Sequence, residues 1–173
     1  MPRLIPALGS RLPQKDSKLL ALEQFMVELV NQARHDQGLP QLKSDPLLAA
    51  VARAHSGEMR DLGYYSHESP DPARHTPTER YNLAFGEPAR CLAENLCRGG
   101  RRKPVSASHP NHAAQLSVVI PFEVERDTIV GAHRSLLSSP GHYANIMHPM
   151  MKRIGIGLVQ QTDDWWLTQV FAW

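Results

Sequence analysis

The segments RIGIGLVQQ (Arg153 to Gln161) and WWLTQVFAW (Trp165 to Trp173) decide the architecture of this chain. Both read as extended segments, and the short stretch Thr162 to Asp164 between them reads as the turn that joins two strands. Counting by twos along the second strand puts Trp165, Leu167, Phe171 and Trp173 on one face and Trp166, Val170 and Ala172 on the other. A strand apolar on both faces must be covered on both sides, so helices are expected above and below one sheet.

Upstream, the apolar period changes from two to three and four. Leu19, Leu22, Met26, Leu29, Val30 and Ala33 share one face of a helix that starts near Ser17 and stops at Gly38 and Pro40. Asp45 followed by Pro46 reads as an N-cap and first helical residue. The second helix then carries Leu48, Val51, His55, Met59 and Leu62 on one face and ends near Gly63. Tyr64 to Arg80 reads as a loop entering a short helix at Thr78 to Phe85, and Arg90 to Leu96 as a strand. A further helix is expected from Asp127 to Leu137. Ser139 then caps another, with Pro140 in its first position, His142 in its first turn and Pro149 as its stop. Between these lies an irregular excursion at about 99–126. It holds LSVVIPF, an edge strand broken by Pro121, and its part from Gly99 to Ser117 is expected to be the most mobile internal segment.

A chain of 173 residues with 42% apolar and 21% charged composition suits one globular domain, here 17–173, preceded by a flexible extension at 1–16. The net charge of +2 comes from scattered residues, with local excess at Arg3 to Lys18 and Arg98 to Lys103. Neither cluster interleaves aromatics, so no nucleic-acid partner is expected. No apolar run approaches the roughly 20 residues of a membrane helix, and the opening MPRLIPALGSRLPQ, broken at Pro6, shows no signal peptide. Cys91 and Cys97 lie about 20 Å apart if the chain between them is extended, too far for a disulfide. Free thiols are expected unless Arg98, Gly99 and Gly100 fold the chain back.

Four motifs stand in order: AVARAHSGEM (Ala50 to Met59), YYSHESP (Tyr64 to Pro70), LAENL (Leu92 to Leu96) and SSPGHYANIM (Ser138 to Met147). With the two terminal strands they resemble the bacterial CAP (SCP-like) family, which shares its fold with the cysteine-rich secretory, antigen 5 and pathogenesis-related-1 proteins. The resemblance implies an α+β fold, a three-layer α-β-α sandwich with a mainly antiparallel sheet. It also implies a cleft lined by two histidines and two acidic residues. Residue by residue, it carries His67, Glu94 and His142 into that cleft. The second acid is missing: the preceding helix reads AHRSLLSSPGH, and its nearest counterpart is Ser138 or Ser139.

Neutral imidazoles are good Zn²⁺ ligands, and a carboxylate either completes the shell or orients a ligand. His67 and His142 are thus the candidate ligands of a divalent metal, Zn²⁺ foremost, with Glu94 and Ser139 beside them. The positive end of a helix dipole would hold His142 neutral. The alternative is that both histidines are merely hydrogen-bonded loop and cap residues. His55, on an apolar face, reads as a satisfied core histidine, and His133 as a helix-surface residue. His109 and His112 are too few for a zinc motif, and the three tryptophans read as core. No nucleophile elbow, HExxH or phosphate loop appears.

Two functions are consistent with this reading. The leading one is a secreted or envelope-associated, monomeric, non-catalytic module whose cleft takes a metal, a lipid or a cell-wall glycan. The competing one is a metal-dependent hydrolase in which metal on His67 and His142 activates water and Glu94 is the general base.

Overall fold

A computed structural model of the chain describes residues 16–100 and 122–173. Its elements run α1 (Ser17–Asp36), β1 (Lys43–Ser44), α2 (Pro46–Leu62), α3 (Pro77–Phe85), β2 (Leu92–Gly100), α4 (Arg126–Ser138), α5 (Pro140–Ile146), β3 (Arg153–Gln161) and β4 (Asp164–Ala172). The punctuation read from the sequence is at work. Asp16 and Asp45 accept backbone N–H bonds at the starts of α1 and α2, and Gly63 ends α2 in the left-handed region at φ 70°. Thr76 and Glu79 form a reciprocal cap on α3.

The four strands lie in the order β1-β3-β4-β2. Both long pairings are antiparallel, and only the two-residue β1 pairs in parallel, with β3. On one face Ile154, Ile156 and Leu158 of β3 join Trp165, Leu167 and Phe171 of β4 against Leu22, Met26 and Val30 of α1, Ile129 and Leu136 of α4, and Ile146 of α5. On the other face Val170 and Ala172 meet Leu48 and Ala52 of α2 and Tyr81 of α3. The expected three-layer sandwich results, with its sheet mixed at one edge.

Several boundaries differ from the sequence reading. The strand expected to end at Leu96 continues to Gly100, because Gly99 and Gly100 pair with Trp165 and Asp164. Gly99 and Gly100 are therefore strand residues, and the excursion's described part is confined to the approach to α4. The rest, with LSVVI, Pro121, His109 and His112, lies outside the described residues, as does the extension before Asp16. Leu62, placed on the buried face of α2, is 59% exposed in the helix's last turn. Arg34, which apolar patterning passes over, is wholly buried. Its guanidinium donates to the carbonyls of Pro40, Ile146 and His148, at 2.9, 2.7 and 3.1 Å, tying the end of α1 to the end of α5. Cys91 and Cys97 are free, as expected, and burial raises the Cys97 thiol to about 11.

The α2 face of β3 is made by Gly155 and Gly157. A Cβ at Gly155 would lie 2.2 Å from the Leu48 carbonyl carbon, and one at Gly157 would lie 2.1 Å from the Arg53 nitrogen. These are backbone atoms, which cannot step aside as a flexible side chain can. Gly155→Ala or Gly157→Ala should therefore push α2 off the sheet and destabilise the fold by about 3 kcal/mol or more. Calorimetry should show a Tm lower by roughly 6–12 °C, and an unchanged Tm would contradict the close approach.

Candidate functional site

The segment after α2 carries His67 to the sheet, and β2 meets it with Glu94. Glu94 is buried, and its carboxylate accepts from His67 Nδ1 at 2.9 Å and from Arg80 Nη2 at 3.0 Å on both oxygens. Because a carboxylate can only accept, the His67 ring carries a proton on Nδ1, and in its neutral form it leaves Nε2 bare. Burial pushes the Glu94 carboxyl up, but the His67 hydrogen bond and the Arg80 charge more than offset it and hold it below the ordinary value.

Arg80 also fastens the loop. Its Nη2 donates to the carbonyl of His67 at 2.9 Å, and its Nη1 donates to those of Arg74 and His75 at 3.1 and 3.0 Å. Behind it His55 of α2, 1% exposed, donates from Nε2 to the Ser66 carbonyl at 3.0 Å and stands 3.8 Å from Glu94. Tyr64 donates to Glu58 at 2.6 Å, and Arg74 pairs with the same carboxylate at 2.9 Å. His55 is thus a satisfied core histidine, as read, yet one that backs the loop bearing His67.

The opposite wall is α5. Ser139 caps it through its carbonyl, which accepts from the Tyr143 N–H at 2.8 Å, while its hydroxyl makes no capping bond. Asn95, fully buried on the reverse face of β2 from Glu94, donates to the His142 carbonyl at 3.2 Å and to Gln169 at 3.1 Å, and accepts from Asn145 at 2.8 Å. This bond holds His142 over the sheet edge. Burial, then the neighbouring His67, lowers the His142 imidazole, so the direction expected from the helix start is found with a different cause.

His67 and His142 line one cleft of about 400 Å³ with Tyr65, Ser66, Glu68 and Leu96. Neither Glu94 nor Ser139, both expected in the cleft, is among its lining residues, and Glu94 reaches it only through its bond to His67. His133, read as a surface residue, is 7% exposed, and its Nδ1 has no partner among the described residues. It faces the interior because α4 is covered by α1 and α5. Tyr65 carries Arg98 over its ring at 4.8 Å, and burial raises its phenol to about 12. Sequence reasoning missed Arg80, which no motif marks, and passed over Asn95 although LAENL contains it.

The profile of the cysteine-rich secretory protein (CAP) family matches residues 27–171. This chain belongs to the CAP family. It is 30% identical over 155 residues to the uncharacterized protein YkwD of Bacillus subtilis (strain 168), covering 90% of this chain and 48% of that one. The CAP domain seen here therefore spans about half the length of that curated relative. An extracellular SCP-domain protein from Bacillus anthracis str. Ames superposes with a TM-score of 0.66 at 23% identity, over 94% of this chain and 45% of that one. An outer surface protein from Borrelia burgdorferi gives 0.65 at 16%, over 92% and 95%. These two likenesses concern the fold.

Burial lowers the imidazoles of His55, His133 and His142 in the folded CAP domain. Between those lowered values and about 6.5 the unfolded chain binds more protons, so their contribution to stability is complete above about 6.5 and is lost as the pH falls. Glu23, raised by burial, works the other way, which sets three histidines against one carboxyl. The urea midpoint should fall between pH 7.5 and 5.5, in a window set on the order of the histidine range. A midpoint that rises on acidification would refute this balance.

Proposed function

We propose that this CAP domain is a secreted or envelope-borne binding module, not an enzyme. Its cleft holds a divalent cation between the imidazoles of His67 and His142, together with the polar groups of a small glycan-like ligand. The observation that carries this reading is the His67 Nδ1 to Glu94 bond of 2.9 Å, which commits one ring nitrogen and leaves Nε2 bare on a residue lining the cleft that His142 also lines. A carboxylate that orients an imidazole in this way is the usual partner of a histidine metal ligand.

The donor set fits a loosely held ion. Among the described residues no group of three or more His, Cys, Asp or Glu side chains is disposed to hold a metal, so water would complete the shell. Zn²⁺ is the ion best suited to two neutral imidazoles. A bound cation would supply a Lewis-acidic centre for hydroxyl or anionic groups of the ligand.

Two features weigh against a hydrolase. Two imidazoles are one short of the three protein ligands usual in catalytic zinc sites. Glu94, with its side chain 1% exposed and both oxygens on Arg80, is poorly disposed to take a proton from water. Ser66, His67, Glu68 and His142 offer polar groups to a glycan-like ligand, beside apolar surface that includes Tyr65 and Leu96. Secretion is supported by the family and by relatives described as extracellular and outer-surface proteins. Among the described residues no helix is long and apolar enough to cross a membrane.

Calorimetric titration of chelator-treated protein with Zn²⁺ tests the reading. His67→Ala and His142→Ala should each abolish binding and leave the metal-free Tm within a few degrees of the parent, on the order expected for residues outside the core. Undiminished binding in both variants would sink the proposal.

A further inference from the structure

We infer that Arg80 is the positioning residue of the cleft, one guanidinium fixing His67 both by its main chain and, through Glu94, by its ring. This rests on the reading of the His67 and His142 cleft as the binding site, and it names a residue that touches no ligand. Arg80 lies in α3, 13 residues from His67 and 14 from Glu94, and its side chain is 5% exposed.

The hydrogen bonds divide by nitrogen. Nη1 has two protons and two acceptors, the carbonyls of Arg74 and His75. Nη2 has two protons for the carbonyl of His67 and the Glu94 carboxylate. Four points on one plane are thereby held at once: the loop at 67, the loop at 74 and 75, and the side chain that orients the His67 ring. Other donors near Glu94 are committed, since His55 Nε2 is 3.8 Å away and bonded to the Ser66 carbonyl at 3.0 Å. A lysine ammonium keeps the charge but radiates its protons from a single point and cannot span acceptors that a planar fork reaches. Without Arg80, Glu94 loses the contact that aims its oxygens, and the bond that holds the His67 proton on Nδ1 is no longer kept in line.

A merely structural role would leave the ring tautomer alone, and that separates the two accounts. Long-range ¹H–¹⁵N spectra of the full chain, recorded without metal at a pH well above the imidazole range, should show His67 protonated on Nδ1 in the parent protein. Arg80→Lys should keep the far-UV dichroism but lose that tautomer, and competition with a chromophoric chelator should show Zn²⁺ bound roughly tenfold to hundredfold more weakly. Retention of the Nδ1–H tautomer in Arg80→Lys, or its absence from the parent, overturns the inference. If the parent binds no Zn²⁺, the binding reading falls while the tautomer comparison still decides for or against Arg80. Should Arg80→Lys fail to fold, the parent alone decides. Separate, slowly exchanging Nη protons are expected for Arg80, and an averaged guanidinium signal overturns the inference.

Discussion

The close seating of α2 on β3 governs the rest of the molecule. With Gly155 and Gly157 facing it, the helix backbone rests against the strand backbone, and Ser56 fastens the contact by hydrogen bonds to the Gly157 carbonyl at 2.9 Å and the Thr168 hydroxyl at 2.8 Å. Such an approach leaves no freedom to slide, because any shift drives helix atoms into sheet atoms. The position of α2 in turn sets that of His55 and Glu58, the two residues on which the segment from Tyr64 to Arg74 is seated. The cleft wall bearing His67 therefore takes its place from two glycines that contribute nothing to it directly.

Glu94 and Asn95 divide the remaining work. Adjacent on β2 and pointing to opposite faces, one holds the His67 loop through Arg80 and the other holds α5 through the His142 carbonyl. The charges beneath the loop come in opposite pairs, the buried Glu94 with Arg80 and the half-buried Glu58 with Arg74. A buried pair of this kind adds little net stability compared with apolar packing, yet removing one partner is costly, since the other is left charged and unsolvated. Its contribution is geometric: it permits one arrangement of the loop.

What could be read from the sequence followed from local rules. Asp45 and Pro46, Gly63, Thr76 and the two-sided strand each declare themselves within a few residues, and the layers follow from them. The convergence of His67, Glu94 and His142 is legible through motif resemblance, because no periodicity links residues 27 and 48 positions apart. The misses share a cause. Arg34 and Arg80 belong to a residue type that is rarely buried, and each is buried by acceptors brought from elsewhere in the chain. His133 reads as a surface residue because the packing of α1 and α5 over α4 is invisible in its own helix. Leu62 continues the apolar period of α2 into its last turn, where it is exposed although Met59, one turn earlier, is buried.

The sequence separations of these contacts bear on the order in which the molecule assembles. Bonds that build the His67 wall join residues 14 and 27 positions apart, all present once β2 has been made. Bonds that seat α5 reach from Arg34 to Ile146, 112 positions, and from Asn95 to Gln169, 74 positions. Closing such long loops carries a larger entropic cost and slows folding. During synthesis from the N-terminus, the residues that anchor the His142 wall arrive among the last of the domain. The two imidazoles thus meet only when nearly the whole domain has folded, and because β2 joins the sheet through β4, a chain stalled short of its final strand has neither wall of the cleft in place.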